Sequence, residues 1–286
     1  MEIGFEAGSF ATAGYRFSDY VKIAADLGFK YVELWINRKT LWPLTVKKRE
    51  KEKALKTLRE YGMTVVSTCP IPFKAKRWET FFFEYNLAHP SERERKKAVS
   101  FAKKSIDLTR DLGGQIMLTL PGKIEQPSFM ESKFSYRQYF ASSVKSLSEC
   151  ARYAEEMGII LGVENAVVGN FGDRPEELHR LVSEVASDHV KVYLDVANAN
   201  PFFPPVEYIR LLKDVLAPCI HITDNDGTRA DHLPIGMGTI NFRETLIELK
   251  TAGWDGYLFP EIFYAKDPVW GLKKSRDKLK QLLQEI

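Results

Sequence analysis

Residues 159–195 read IILGVENAVVGNFGDRPEELHRLVSEVASDHVKVYLD. Two short apolar runs, Ile159 to Glu164 and Val190 to Asp195, enclose an amphipathic stretch opened by Asp173 with Glu176 three residues on. Runs this apolar read as strands buried on both faces, as a parallel sheet requires, and the stretch between them reads as the crossover helix. Each run ends in an acid, which an apolar interior would not select for packing.

Working outward, the same strand-then-helix unit occurs eight times. The other runs are Glu2 to Ala7, Tyr31 to Ile36, Met63 to Cys69, Gln115 to Leu120, Cys219 to Thr223 and Gly256 to Ile262. Helix starts are marked by Ser18, by Thr45, and by Ser91 with Glu94, Ser135 with Gln138 and Asn241 with Glu244, the spacing of a capping box. Gly113, Gly158 and Gly253 stand where a left-handed residue must close a helix before the next strand. Eight such units with no linker predict a single closed (β/α)8 TIM barrel over residues 1–286 rather than an open sheet. The longer connections follow the third, fourth, sixth and seventh strands, on the face where such barrels build their sites.

The composition fits this reading and excludes others. A chain of 286 residues with 44% hydrophobic and 28% charged residues and three cysteines is neither a low-complexity disordered chain nor a disulfide scaffold. With 41 Lys and Arg against 38 Asp and Glu, the net charge of +3 argues against a phosphate-backbone binder; no nucleic acid partner is expected, and a small substrate is. The charge runs KKREKEK at 47–53 and ERERKK at 92–97 read as solvated helix faces. Cys69, Cys150 and Cys219 are far apart and form no C-x-x-C, so they read as reduced, buried packing residues of a cytoplasmic protein. The start EIGFEAG lacks the pattern of a signal peptide, and the uncharged stretch Tyr61 to Phe73 is too short to span a bilayer; no membrane partner is expected.

The last four strands carry the chemistry. LGVEN places Glu164, VYLDVAN places Asp195, CIHITD places His221 and LFPEIF places Glu261 at strand ends that a barrel makes adjacent. Three carboxylates and an imidazole gathered in an apolar setting are costly alone, and a divalent cation cancels their repulsion. Three oxygens and one nitrogen suit Mn²⁺, Mg²⁺ or Co²⁺ better than a structural Zn²⁺, which usually recruits thiolates. Around this set stand His232 and Asp231 in the Gly-rich segment RADHLPIGMGTINF, and Glu6 and Glu33 near the first two strand ends. Trp35, Trp42 and the loop WETFFFEY at 78–85 offer an apolar wall for a sugar ring or ordinary loop packing, and His89 before Pro90 reads as a helix-entry residue.

These motifs resemble the xylose isomerase-like (AP endonuclease family 2) barrel superfamily. The resemblance is carried by VELW at 32–35, the stretch from Asn86 to Gly114, LGVEN at 161–165, RPEEL at 174–178, LDVAN at 194–198, HITDNDG at 221–227, DHLPIGMGTINF at 231–242 and PEIF at 260–263. It implies that Glu164, Asp195, His221 and Glu261 hold a Mn²⁺-like ion that grips two substrate oxygens. It further implies that Glu164 and Glu261 handle protons on opposite faces of the carbon chain. His232, Glu33, Trp35 and Asn198 are the candidate substrate contacts. Where endonuclease IV has histidines this chain has Leu120 and Asn198, and where it has an aspartate this chain has Ala230, so a three-zinc phosphodiesterase is not supported. The ketose 3-epimerases carry an acid where Asn170 stands and a histidine where Asn198 stands. The expectation is a metal-dependent isomerase or epimerase of a small polyhydroxylated carbonyl compound, with a dehydratase of inosose or dehydroshikimate type as the alternative. A barrel that only binds a sugar is the non-enzymatic reading. Homo-oligomerisation would fit the superfamily.

Overall fold

The apolar runs become parallel strands because side chains on both of their faces find apolar surroundings. The computed structural model describes residues 1–75, 81–124, 134–165, 172–263 and 266–286. Its strands are β1 (Glu2–Ile3), β2 (Phe5–Glu6), β3 (Tyr31–Ile36), β4 (Thr64–Pro70), β5 (Phe73–Ala75), β6 (Phe81–Phe83), β7 (Ile116–Thr119), β8 (Ile160–Glu164), β9 (Val190–Asp195), β10 (Leu216–His221) and β11 (Tyr257–Phe259). The helices are α1 (Gly8–Thr12), α2 (Phe17–Asp26), α3 (Lys48–Glu60), α4 (Glu92–Asp111), α5 (Tyr136–Met157), α6 (Pro175–Val185), α7 (Val196–Ala199), α8 (Pro205–Leu212), α9 (Phe242–Thr251) and α10 (Pro268–Glu285).

The main sheet runs β1-β11-β10-β9-β8-β7-β4-β3-β2 with parallel neighbours. β1 and β2 are halves of one stave parted at Gly4. β1 pairs with β11, Ile3 opposite Leu258, and β2 pairs with β3, Glu6 opposite Glu33, so the sheet closes on itself. The fold is the (β/α)8 TIM barrel the repeats predicted. β5 and β6 form a separate antiparallel hairpin in the connection after β4.

Two glycines make room inside the barrel. A Cβ on Gly4 would lie 2.1 Å from the Phe259 ring, and one on Gly162 would lie 2.7 Å from the ring of Tyr193. Phe259 and Tyr193 fill the vacated space together with Val66, Ile116, Leu118 and Cys219. Outside the sheet, larger apolar layers join strands to helices. All three cysteines are free and buried, as packing residues should be. Among the described residues no helix is long and apolar enough to cross a membrane.

Several helix ends follow the sequence signals. Ser135 and Gln138 form a reciprocal capping box, Asn241 accepts from the Glu244 N–H, and Gly158 closes α5 at φ 68°. Others are corrected. α6 starts at Pro175 with Arg174, not Asp173, at its cap position, because proline lacks the N–H that a first-turn residue would waste and has its φ preset for a helix. α2 begins at Phe17, one residue before Ser18, and α3 begins at Lys48, where Glu50 rather than Thr45 caps by accepting from the Lys47 N–H. The run at 92–97 is not wholly solvated either: Arg95 is buried and its guanidinium donates to Glu92 at 2.8 Å and to Glu149 of α5 at 2.6 Å.

Candidate metal centre

Side chains two apart on a strand share a face, so Tyr193 and Asp195 on β9 both point into the barrel, Tyr193 deep and Asp195 at the rim. Glu164 ends β8, His221 ends β10 and Glu261 lies two residues past β11. The structure brings all four sequence-predicted residues together: one ligand-capable atom from each of Glu164, Asp195, His221 and Glu261 lies within 4.8 Å of the others, and all four residues are buried. His221 Nδ1 is the hub, 3.1 Å from Glu164 Oε1, 3.4 Å from Glu261 Oε2 and 4.0 Å from Asp195 Oδ2.

Asp195 is held with unusual completeness on one side and bare on the other. Its Oδ1 accepts from the N–H groups of Ala197 at 2.7 Å and Asn198 at 3.0 Å, which starts α7. The Asn165 side chain clamps its backbone, accepting from the Asp195 N–H at 2.6 Å and donating to its carbonyl at 2.8 Å. Oδ2 is buried and has no hydrogen-bond partner among the described residues. Such an atom normally costs on the order of 1–3 kcal/mol, more when charged, so a cation-binding role accounts for an otherwise unfavourable arrangement.

The electrostatics agree. Burial pushes the Glu164 carboxyl up to about 7, with Asp195 and Glu33 adding to the shift against the pull of His221. Burial, followed by Glu6, Glu164 and Asp195, raises Glu261 well above the carboxylate range despite His221. Burial alone would lower His221, yet Glu261, Glu33 and Glu164 outweigh it and hold the imidazole protonated well above its ordinary value. Without a cation the cluster therefore keeps protons that a cation would displace.

The surrounding candidates divide. His232 turns Nδ1 toward the Glu261 carbonyl at 3.1 Å and Thr223 Oγ1 at 3.2 Å, leaving Nε2 3.9 Å from Asp195 Oδ2, beside the centre. Trp35 packs edge-on against Phe263, which in turn meets His232 edge-on, so this aromatic row borders the site. Asn198 is buried beside it, its amide donating to the Asn165 carbonyl while Oδ1 has no partner among the described residues. Glu33 points inward, away from the mouth: Oε1 lies 2.6 Å from His221 Nε2 and Oε2 accepts from the Tyr193 hydroxyl at 2.7 Å. Burial would raise Glu33, but His221, with Ser67 and Tyr193 adding to it, more than offsets that and holds it below its ordinary value. Glu6 accepts from the Gly8 N–H, and burial with the nearby Glu33 charge pushes it up to about 8.

Trp42 stands apart from the centre, tilted against Phe101 of α4, on which Tyr85 stacks. His89 accepts from the Ser91 N–H at 3.0 Å at the start of α4, the helix-entry role expected of it. Asn170 and residues 78–80 of the aromatic loop lie outside the described residues.

Sequence reasoning missed three supports. Tyr193 was readable from its two-residue offset to Asp195, and Asn165 from its place directly after Glu164. Asp224 carried no signal beyond its place in HITDNDG. It accepts from the N–H groups of Gly236 at 2.9 Å, Gly238 at 2.8 Å and Ile240 at 3.2 Å, and so pins the loop that carries His232.

The donor set fits a divalent cation: three carboxylates and one imidazole nitrogen, with a bare buried oxygen among them. Residues 21–283 match the family described as xylose isomerase-like TIM barrel, and the chain belongs to that family. Among relatives, an uncharacterized protein of Methanocaldococcus jannaschii is 32% identical over 209 residues, covering 72% of this chain and 69% of its own length. Fructoselysine 3-epimerase of Shigella flexneri is 23% identical over 92% of this chain and 91% of its own. Among solved structures, a D-tagatose 3-epimerase-like protein superposes with a TM-score of 0.82 at 25% identity, covering 100% of this chain and 98% of its own.

Proposed function

We propose that the chain is a divalent-cation-dependent epimerase of a sugar or sugar derivative, acting at the carbon next to a carbonyl. The observation that carries this reading is the buried Glu164–Asp195–His221–Glu261 cluster with its unpartnered Asp195 oxygen. The names of the 3-epimerase relatives support the substrate class.

Glu164, Asp195, His221 and Glu261 would hold the ion, Mn²⁺ being the best match to the donors. When bound, it supplies Lewis-acid polarisation of the substrate oxygens, which acidifies the neighbouring C–H. Glu164 and Glu261 come from the two ends of the four-strand run β8-β9-β10-β11, an arrangement that supports their acting on opposite faces of the substrate carbon. One takes the proton next to the carbonyl, and the other returns a proton to the opposite face. His232 Nε2 and the Asn198 amide oxygen face the substrate hydroxyls, with Trp35 and Phe263 as the apolar border.

The test is incubation with Mn²⁺ in D₂O across a panel of free and phosphorylated ketoses and ketose derivatives, read by ¹H NMR. One substrate should lose the proton next to its carbonyl and accumulate the epimer. Glu164→Gln or Glu261→Gln should slow this by about a hundred-fold or more. Exchange with no member of the panel contradicts the proposal, and an ultraviolet-absorbing enone as product would make the protein a dehydratase.

A further inference from the structure

Inside the barrel, beneath the rim, Glu33 bridges two residues that lie far from it in sequence. Its Oε1 is 2.6 Å from His221 Nε2 and its Oε2 accepts from the Tyr193 hydroxyl at 2.7 Å, all three residues being fully buried. A substrate at the mouth has no path to a carboxylate that is 0% exposed with both oxygens engaged. Its task must therefore be exerted through the groups it touches.

Histidine 221 presents two different nitrogens to two different surroundings. Nδ1 faces Glu164, Asp195 and Glu261, and Nε2 lies 2.6 Å from Glu33 Oε1. A neutral imidazole carries one N–H. If that proton sits on Nε2 and is donated to Glu33, the Nδ1 lone pair is left directed at the other three side chains. The opposite tautomer would aim an N–H at the place a cation must occupy and would set the Nε2 lone pair against a carboxylate.

Glu33 cannot swing away from this task. The Tyr193 hydroxyl ties down its second oxygen, and the Tyr193 ring meets the His221 ring edge-on with centroids 4.8 Å apart. The ring occupies the space left by the missing side chain of Gly162, where a Cβ would come within 2.7 Å of it. Gly162, Tyr193 and Glu33 thus form one assembly whose output is the orientation of His221.

The geometry points to Glu33, braced by Tyr193, as a positioning residue that fixes His221 in the Nε2–H form and so sets the affinity of the centre for its cation. This rests on the cation-dependent reading above, and it replaces the expectation that Glu33 contacts substrate. A carboxylate behind a metal-binding histidine typically contributes about 10–100-fold in metal affinity.

The experiment is titration of chelator-treated protein with Mn²⁺ alone, free Mn²⁺ being read by electron paramagnetic resonance, for wild type, Glu33→Ala, Glu33→Gln and Tyr193→Phe. The dissociation constant should rise by about 10–100-fold in Glu33→Ala, less in Glu33→Gln, whose amide oxygen can still accept from Nε2–H, and least in Tyr193→Phe. The chain has only five histidines, so ¹⁵N spectra of histidine-labelled, cation-loaded protein can resolve the tautomer. Wild type should show Nε2–H at His221, and its signal should shift or broaden in Glu33→Ala. Should Glu33→Ala fail to fold, Tyr193→Phe and Glu33→Gln still decide the matter. A dissociation constant within twofold of wild type in every folded variant overturns the assignment, and so does a raised KM for substrate with unchanged Mn²⁺ affinity. Wild type that takes up no Mn²⁺ would instead remove the cation-dependent reading itself.

Discussion

Asp195 ends β9 and Asp224 lies three residues past the end of the neighbouring β10, both fully buried, yet their oxygens are used in opposite ways. Both Asp224 oxygens are consumed by backbone N–H groups from Asn225, Gly236, Gly238 and Ile240. Asp195 engages backbone through Oδ1, and its Oδ2, close to Glu164, His221 and Glu261, has no hydrogen bond among the described residues. Asp224 pins a loop, and the free oxygen of Asp195 is the one the proposed cation would use. Burial and residue type are the same, so the partner count of each oxygen is what separates structure from chemistry.

The comparison can be broken by exchanging each carboxylate for its amide. Asp195→Asn should have the largest effect on ligand binding. At a Mn²⁺ concentration about 100 times the wild-type dissociation constant, wild type should gain roughly 2.7 kcal/mol of stability and the variant almost none. Its metal-free stability should stay near wild type, because the amide oxygen can still accept from Ala197 and Asn198. Thermal or denaturant unfolding with and without Mn²⁺ measures both, and an equal gain in the variant would end the assignment.

Asp224→Asn should show the reverse pattern. An amide cannot accept with both of its heavy atoms, so the two N–H groups that share one of the oxygens lose their partner, at a cost of about 1–3 kcal/mol for each that is buried. The loss should appear in metal-free protein, with Mn²⁺ affinity changing much less than in Asp195→Asn. A surface counterpart sharpens the scale: Asn241→Ala removes an exposed acceptor for the Glu244 N–H at the start of α9, and should cost about 1 kcal/mol. If denaturant unfolding found Asn241→Ala as damaging as Asp224→Asn, burial of the accepted N–H groups would not be what gives Asp224 its weight.

How much of this was readable beforehand depends on how far apart the partners lie in the chain. The barrel was legible because each strand and helix announces itself locally, and the four rim residues because each ends its own strand. For Glu33 the sequence shows nearness to the site but not the Tyr193 and His221 contacts it makes. Its true contacts are 160 and 188 residues away, and only closure of the sheet at Gly4 brings β3 to face β9 and β10 across the barrel. The same holds for Arg95, whose burial depends on Glu149 of α5, 54 residues on. The helix start at Asp173 failed for a local reason, since Pro175 competes for the first turn and wins. Asp224 showed nothing because its acceptor role exists only once residues 231–240 have folded back over it.

The most direct test of the central claim, that Glu164, Asp195, His221 and Glu261 form a divalent-cation centre, is the stoichiometry of Mn²⁺ bound by chelator-treated wild-type protein. The account predicts one tightly bound ion per chain. No uptake at Mn²⁺ concentrations that would saturate such a site, or uptake that Asp195→Asn leaves unchanged, would contradict it.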